Sequence, residues 1–240
     1  MLELTSSRNK IIDAALRLAA EDGWAGLSLE RISRQAGVGL GDFRKEFSAK
    51  ADILAAFTRA VDDAVLAKAS PADASVAPRD RLFDILMTRF ETMAPYKPGL
   101  KRIREAMHRS LTDGAVQLGA SARSLYWMLA ASGIDVEGSR GAIRVPAVMA
   151  VYARVFDIWL EDDDPGLART MAALDSRLRR GERAMQRLDD LGATVERFFS
   201  NFTTRRKRTQ TPEPPQDETP PAATSPANGG SGSTDSAPAV

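Results

Sequence analysis

The sequence contains no cysteine and a single histidine, His108. The first absence excludes a disulfide framework, a thiolate nucleophile and any cysteine-ligated metal. The second removes His-rich metal sites and the triads that need a second imidazole. His108 follows Arg102 and Arg104, with Glu105 nearby. No acid–base partner, phosphate-binding glycine loop or metal-ligand spacing accompanies it, so it reads as a solvated or hydrogen-bonded side chain. An excess of one charge is also missing. Lys and Arg number 33 and Asp and Glu 32, a net charge of +1, so no global field draws the chain to nucleic acid or anionic lipid. Long hydrophobic runs are lacking too. No stretch reaches the ~20 apolar residues that span a bilayer. The nearest, Val145–Leu160, is interrupted by Arg154 and Asp157. The opening residues show no charged segment followed by an apolar one, as a secretory signal has. The expectation is a cytoplasmic protein with no metal, no cofactor and no enzymatic role.

Apolar residues make up 43% of the chain, enough for a substantial core. Their spacing is helical throughout, with no alternating strand pattern, which predicts an all-α fold. Ser6 or Ser7 caps a first helix with Ile11, Ile12, Ala15, Leu16, Leu18 and Ala19 on one face, ended by Gly23. Ser28 caps a short second helix carrying Leu29, Ile32 and Ala36, and Gly37 separates it from a third that runs to about Phe47. A long helix from Ala49 to Lys68 follows, then a linker over Pro71–Pro78. Three amphipathic helices are expected over Arg79–Met93, Pro98–Leu111 and Ala115–Ala131, the last two parted by Asp113-Gly114. After a loop over Gly133–Gly141, Pro146 suits the first position of a helix ending near Leu160. Asp164-Pro165 opens another, and a last helix spans about Arg183–Phe202. The acidic run Glu161–Asp164 lacks the spaced ligands and central glycine of a calcium loop, so it reads as a cap and turn. From about Thr209 to Val240 the chain is Thr, Pro, Gly, Ser, Ala and acidic residues, a composition that stays disordered.

Residues 28–47 are the most informative segment. Two short helices meet at Gly37, a residue suited to the positive φ of a tight turn. Ile32, Val38 and Phe43 fall where a helix-turn-helix packs its small core, and such a unit lays its second helix in the DNA major groove. The run Ile11-Ile-Asp-Ala-Ala-Leu-Arg-Leu, then Gly23-Trp24, Ser28, Ile32, Ala36-Gly37-Val38, Phe47 and Lys50, resembles the N-terminal domain of the TetR family of repressors. The resemblance spans about fifty residues, in the right order. It implies an all-α homodimer with a DNA-binding head over 5–50, a helical ligand and dimerisation domain over 51–203, and a basic border and tail over 204–240. Its implied DNA contacts are Ser28 and Lys50 to phosphates, with Arg34, Gly39, Leu40, Asp42, Phe43, Arg44 and Lys45 along the helix-turn-helix. Its implied partners are a DNA operator and an apolar small-molecule effector.

Departures from the family pattern concentrate on the second of these helices. Asp42 stands where Thr is usual, Arg44 for Tyr and Glu46 for His. Ser33 replaces a small Ala. Residues 1–70 hold ten Lys or Arg against ten Asp or Glu. A DNA-binding surface is usually basic, because phosphate neutralisation dominates affinity. Two readings therefore stand: a DNA-binding head, and a scaffold that has lost DNA binding.

Farther along, Phe83, Met87, Phe90, Met107, Trp127 and Met128 recur at helical spacing, as a plain core or as the wall of an apolar ligand cavity. The apolar helix at Val145–Leu160, Trp159 included, suits a dimer interface or the interior of one subunit. Ser124-Leu-Tyr-Trp-Met, Tyr152, Trp159-Leu-Glu-Asp-Asp-Asp and Met171-Ala-Ala-Leu-Asp-Ser-Arg-Leu are similar to the ubiquinone-biosynthesis "Coq-nine" lipid-binding family. That resemblance implies a TetR-like fold that binds isoprenoid lipid without DNA. The stripe Met185, Leu188, Leu191, Val195, Phe198, Phe199 and Phe202, ending in Arg205–Arg208, would then meet a membrane surface; the other reading is a helix packed on its own domain with a solubilising basic end.

Overall fold

The computed structural model describes residues 5–69, 75–107 and 111–187, and every regular element among them is helical. α1 (Ser7–Asp22), α2 (Leu29–Ala36) and α3 (Leu40–Glu46) form the N-terminal head. α4 (Lys50–Lys68) leads away from it, followed by α5 (Pro78–Met93), a 3-10 turn (Ala94–Tyr96), α6 (Lys97–Met107), α7 (Leu111–Ala131) and α8 (Gly138–Leu160). A further helix, α9, covers residues 168–187.

Local chemistry explains the head's boundaries. Ser6 Oγ accepts from Asn9 N at 3.2 Å and Ser28 Oγ from Arg31 N at 3.2 Å, each satisfying a donor that its helix leaves open. α2 stops at Gly37, which sits at φ 63° and ψ 32°. There Val38 N bonds Ser33 O at 3.1 Å and Gly37 N bonds Arg34 O at 3.2 Å, closing the helix end. The buried Ser33 hydroxyl donates to Val38 O and ties the same turn, which accounts for a polar residue at this core position. Asp52 accepts from Ser48 N and Ala49 N at 3.1 and 2.9 Å and starts α4.

Ile11, Ile12 and Leu16 of α1, Ile32 of α2 and Phe43 of α3 make the head's core, which continues through Ile53 and Phe57 of α4 into the later helices. α6 crosses α1 closely because residue 99 has no side chain: a Cβ on Gly99 would lie 2.2 Å from Leu16 O. α7 packs along α4, and α8 against α6 and α7.

The helix register corrects several expectations. Asp113-Gly114 lies inside α7 and does not break it. α5 begins at Pro78, where proline lacks only an N–H that the first turn leaves unused. Pro146 lies inside α8. Asp135 Oδ1 accepts from Glu137 N at 3.0 Å and turns the chain into the helix ahead of the proline. The carbonyl that Pro146 leaves unbonded belongs to Ala142, and both residues are exposed to water. The Glu161–Asp164 run is a cap and turn, as expected. Asp164 accepts from Gly166 N and Ala168 N, each at 3.1 Å. The buried Asp162 takes Thr170 N at 2.9 Å and Thr170 Oγ1 at 2.7 Å. α9 starts past Pro165 because Leu167 adopts φ 52° and interrupts the turn. α9 then continues through Gly181 to residue 187, where the periodicity predicts a separate helix from Arg183. The rest of that last helix, Arg205–Arg208 and the tail lie outside the described residues, as does His108.

Candidate functional site

α3 is held by Phe43, 2% exposed, and Phe47, whose rings meet edge to face at 6.0 Å. With these two facing inward, α3 turns Leu40, Gly41, Asp42, Arg44 and Lys45 to solvent. Their charges are partly spoken for. Asp42 Oδ1 and Lys45 Nζ lie 2.7 Å apart, and this hydrogen bond lowers the carboxyl pKa and raises that of the ammonium. Glu46 faces Arg8 at 3.6 Å, and Arg8 also lies over the Phe47 ring. Arg44 makes no ion pair with a described residue and is the cation α3 has to offer. Leu40 is 54% exposed on the first turn, flanked by Gly39 and Gly41. On α2, Arg34 pairs with Glu30 at 2.9 Å. Both groups are exposed, and such a pair is worth only about 0–1 kcal/mol, so a phosphate can compete for the guanidinium.

Lys50 is engaged by backbone carbonyls of the head. Its Nζ donates to Trp24 O at 2.8 Å, Leu27 O at 3.3 Å and Ala25 O at 3.4 Å. It also lies 5.0 Å from the centre of the Trp24 ring. The ammonium thus closes the loop between α1 and α2 onto the start of α4. Phe43 likewise belongs to the packing that aims α3.

Beyond the head, a cavity of about 250 Å³ opens among α4, α5, α6, α7 and α8. Its apolar wall includes Phe57, Ile103, Met107, Met149 and Phe156. Its polar side has Thr58, Arg89, Gln117, Ser121 and Tyr152. The buried Arg89 donates through Nε to Tyr152 Oη at 3.0 Å and through Nη1 to Asp62. Its pKa is raised: burial works against the charge, and the neighbouring Tyr152 and Asp62 outweigh it. Burial pushes the Tyr152 phenol up as well. Asp62 Oδ1 also takes Ser124 Oγ at 2.7 Å.

The model of the bacterial regulatory proteins of the tetR family matches residues 11–57, the segment from α1 into α4. Over this head the chain is similar to the TetR family. The fold agrees. A TetR transcriptional regulator from Nitrosomonas europaea superposes with a TM-score of 0.59 at 19% identity, covering 74% of this chain and 98% of its own. One from Rhodococcus sp. RHA1 gives 0.55 at 15% identity, covering 73% and 95%. A tetR-family regulator from Streptomyces coelicolor gives 0.50 at 17% identity, covering 85% and 100%. Among curated proteins none matches the sequence.

The helical body builds its cavity from other residues than the periodicity suggests. Of the six expected lining residues, Met107 lies on the wall. Phe90 is fully buried behind it, stacked on Tyr152 with ring centres 5.4 Å apart. Met87 and Met128 are core, and Phe83 is half-buried against it. Trp127 is 52% exposed and borders a separate open groove with Arg59, Asp63 and Arg123. Of the residues that periodicity misses, Thr58 and Arg89 are polar ones among apolar helical neighbours, a signal that could have found them, whereas Gln117 shares its face with Asp113 and Ser121 and gives no such signal. Trp159 is fully buried within the subunit, its ring 5.5 Å from both Phe90 and Phe156, so it is not an interface residue. Of the positions that resemble the lipid-binding family, Ser124 donates to Asp62, Tyr152 accepts from Arg89 and Asp162 accepts from Thr170. No described helix is long and apolar enough to cross a membrane.

Proposed function

We propose that this TetR-like protein is a dimeric transcriptional regulator whose operator affinity is set by a small molecule in the α4–α8 cavity. The observation that carries this reading is a shared set of helices. α4 belongs to the head at Ile53 and lines the cavity at Leu54 and Phe57. α6 lines it at Leu100 and Ile103, one residue and one turn beyond the Gly99 contact with α1. A ligand that displaces either helix also displaces the head. Two heads must lie about 34 Å apart to enter successive major grooves, so a small tilt is enough to lower operator affinity.

On the operator, Arg44 and Ser28 meet phosphates, Arg34 exchanges Glu30 for a phosphate, and Leu40 meets a thymine methyl in the major groove. A second copy covers the exposed apolar edge of α8 and α9, where Ile143, Ala147, Ala150 and Met171 face solvent. The test is a mobility shift on the DNA upstream of the chain's own gene, at several salt concentrations. Specific binding with a steep salt dependence is expected. Absence of binding at low salt rejects the reading in favour of a scaffold that has lost DNA binding.

A further inference from the structure

The cavity has two unlike walls, and the polar one selects the charge of its occupant. No carboxylate lines it among the described residues, so a cation entering would be desolvated with no countercharge. Arg89 reaches the wall, but Asp62 already matches its charge. A ligand carboxylate added to that pair would leave a net negative charge buried. Arg104, the other cation on the wall, is held by Asp157 through bonds of 2.8 and 3.2 Å. The site suits an uncharged molecule.

Gln117 decides which polar group that molecule carries. Its Nε2 donates to Thr58 Oγ1 at 3.1 Å and to Ser121 Oγ at 3.4 Å. Its Oε1 is buried and has no hydrogen-bond partner. Turning the amide over exchanges oxygen and nitrogen but leaves one of them without a partner in the same place. A hydroxyl answers both orientations, because it donates and accepts. Tyr152 adds a donor. Its Oη accepts from Arg89, which leaves the phenolic O–H to give away. The opposite wall places Phe57 and Phe156 among Met93, Met107 and Met149, an adaptable surface for a flat apolar body. The volume of about 250 Å³ exceeds the roughly 150 Å³ that accommodates a single benzene ring. We infer that the cavity binds a neutral, largely apolar molecule, of about two fused rings, bearing one hydroxyl group seated on Gln117. This deepens the proposed function and rests on the cavity being the effector site.

Four probes with one ring system test it by titration calorimetry on the full chain at neutral pH: 2-naphthol, naphthalene, 2-naphthoate and 2-naphthylmethylammonium. 2-Naphthol is expected to bind at least about tenfold more tightly than the other three, the factor that one satisfied buried hydrogen bond supplies. Gln117→Leu should bring 2-naphthol down to the affinity of naphthalene while naphthalene still binds, which also shows that the variant is folded. Gln117→Glu should turn the preference to the ammonium by a similar factor. Failure of all four to bind overturns the inference. So does tightest binding of either ion to the native protein, or 2-naphthol affinity indifferent to residue 117. The same probes are added to the protein on its upstream DNA. An ion that binds tightest and releases DNA removes the hydroxyl assignment and leaves the regulator standing. Binding of 2-naphthol that depends on Gln117, in a protein that never holds the DNA, removes the regulator and leaves the assignment.

Discussion

The Arg89 guanidinium and the Asp62 carboxylate form an ion pair between α5 and α4 with side chains only 5% and 12% exposed. Such a pair need not be stabilising as a whole, because desolvating two charges offsets their attraction. Removing one partner is another matter. Asp62→Asn should lower stability by about 3–5 kcal/mol, as it strands a buried cation. The double change Asp62→Leu with Arg89→Met should recover most of that loss. Urea denaturation of the three proteins checks both values, and a cost for Asp62→Asn under about 1 kcal/mol would mean that the cavity's polar side is wetter than the packing indicates.

Arg44 and Lys50 are both basic residues of the head, and they should behave differently. Arg44→Ala should weaken binding to every DNA sequence alike and flatten the salt slope by roughly one unit, with no change in melting temperature. Lys50→Met keeps the side-chain stem over Trp24 and loses the bonds to Trp24 O, Ala25 O and Leu27 O. It should cost about 2 kcal/mol of stability, in the range of hydrogen bonds to charged groups. A Lys50→Met protein that melts like the native one and binds DNA with a reduced salt slope would return Lys50 to the phosphates.

Leu40 should change preference and not overall affinity. Its exposed side chain suits a thymine methyl, so Leu40→Ala should lose about 1 kcal/mol at one base position and little elsewhere. Selection of binding sites from a random pool, with native and variant protein side by side, reads this directly.

Gly99 permits the contact between α6 and α1. A methyl group there meets the Leu16 carbonyl at 2.2 Å, and backbone cannot swing aside as a side chain can. Gly99→Ala should therefore destabilise the protein by about 1–3 kcal/mol and separate the two helices. If α6 transmits cavity occupancy to the head, the variant should still bind 2-naphthol yet release DNA less completely. Release equal to that of the native protein would leave α4 as the carrier.

The dimer proposal distinguishes Ala150 from Trp159, two residues on different faces of α8. Ala150→Glu puts a charge on the exposed edge and should give a folded monomer in sedimentation. Trp159→Asp puts one beside Phe90 and Phe156 and should unfold the subunit, at a cost of several kcal/mol. A Trp159→Asp protein that stays folded as a monomer would restore that side chain to an interface.

Most of the head is legible in the amino-acid sequence, for a local reason. Ser6, Ser28 and Gly37 act on backbone groups within five residues of themselves, and Ile11, Ile12, Leu16 and Ile32 recur at the helical period. Caps, turn and inward face are therefore written in short stretches. Pro146 and Gly114 show where this legibility stops. A proline reads as a helix start and a glycine as a helix break, yet each lies inside a helix whose neighbours hold it in place.

The sequence by itself determined the helical class, the order of the elements and the helix-turn-helix, because these follow from periodicity, capping and turn chemistry over a few residues. It did not determine which faces of α4 to α8 meet. Phe90 and Trp159 carry the same apolar signal as Met107, and only packing put the first two in the core and the third on a cavity wall. Lys50 has the charge and position of a phosphate ligand, but folding brings three carbonyls of the loop before α2 around its ammonium. The polar side of the cavity joins Thr58, Arg89, Gln117 and Tyr152, which are far apart in the chain. Side chains separated by tens of residues acquire a common chemistry only when tertiary packing excludes water from between them.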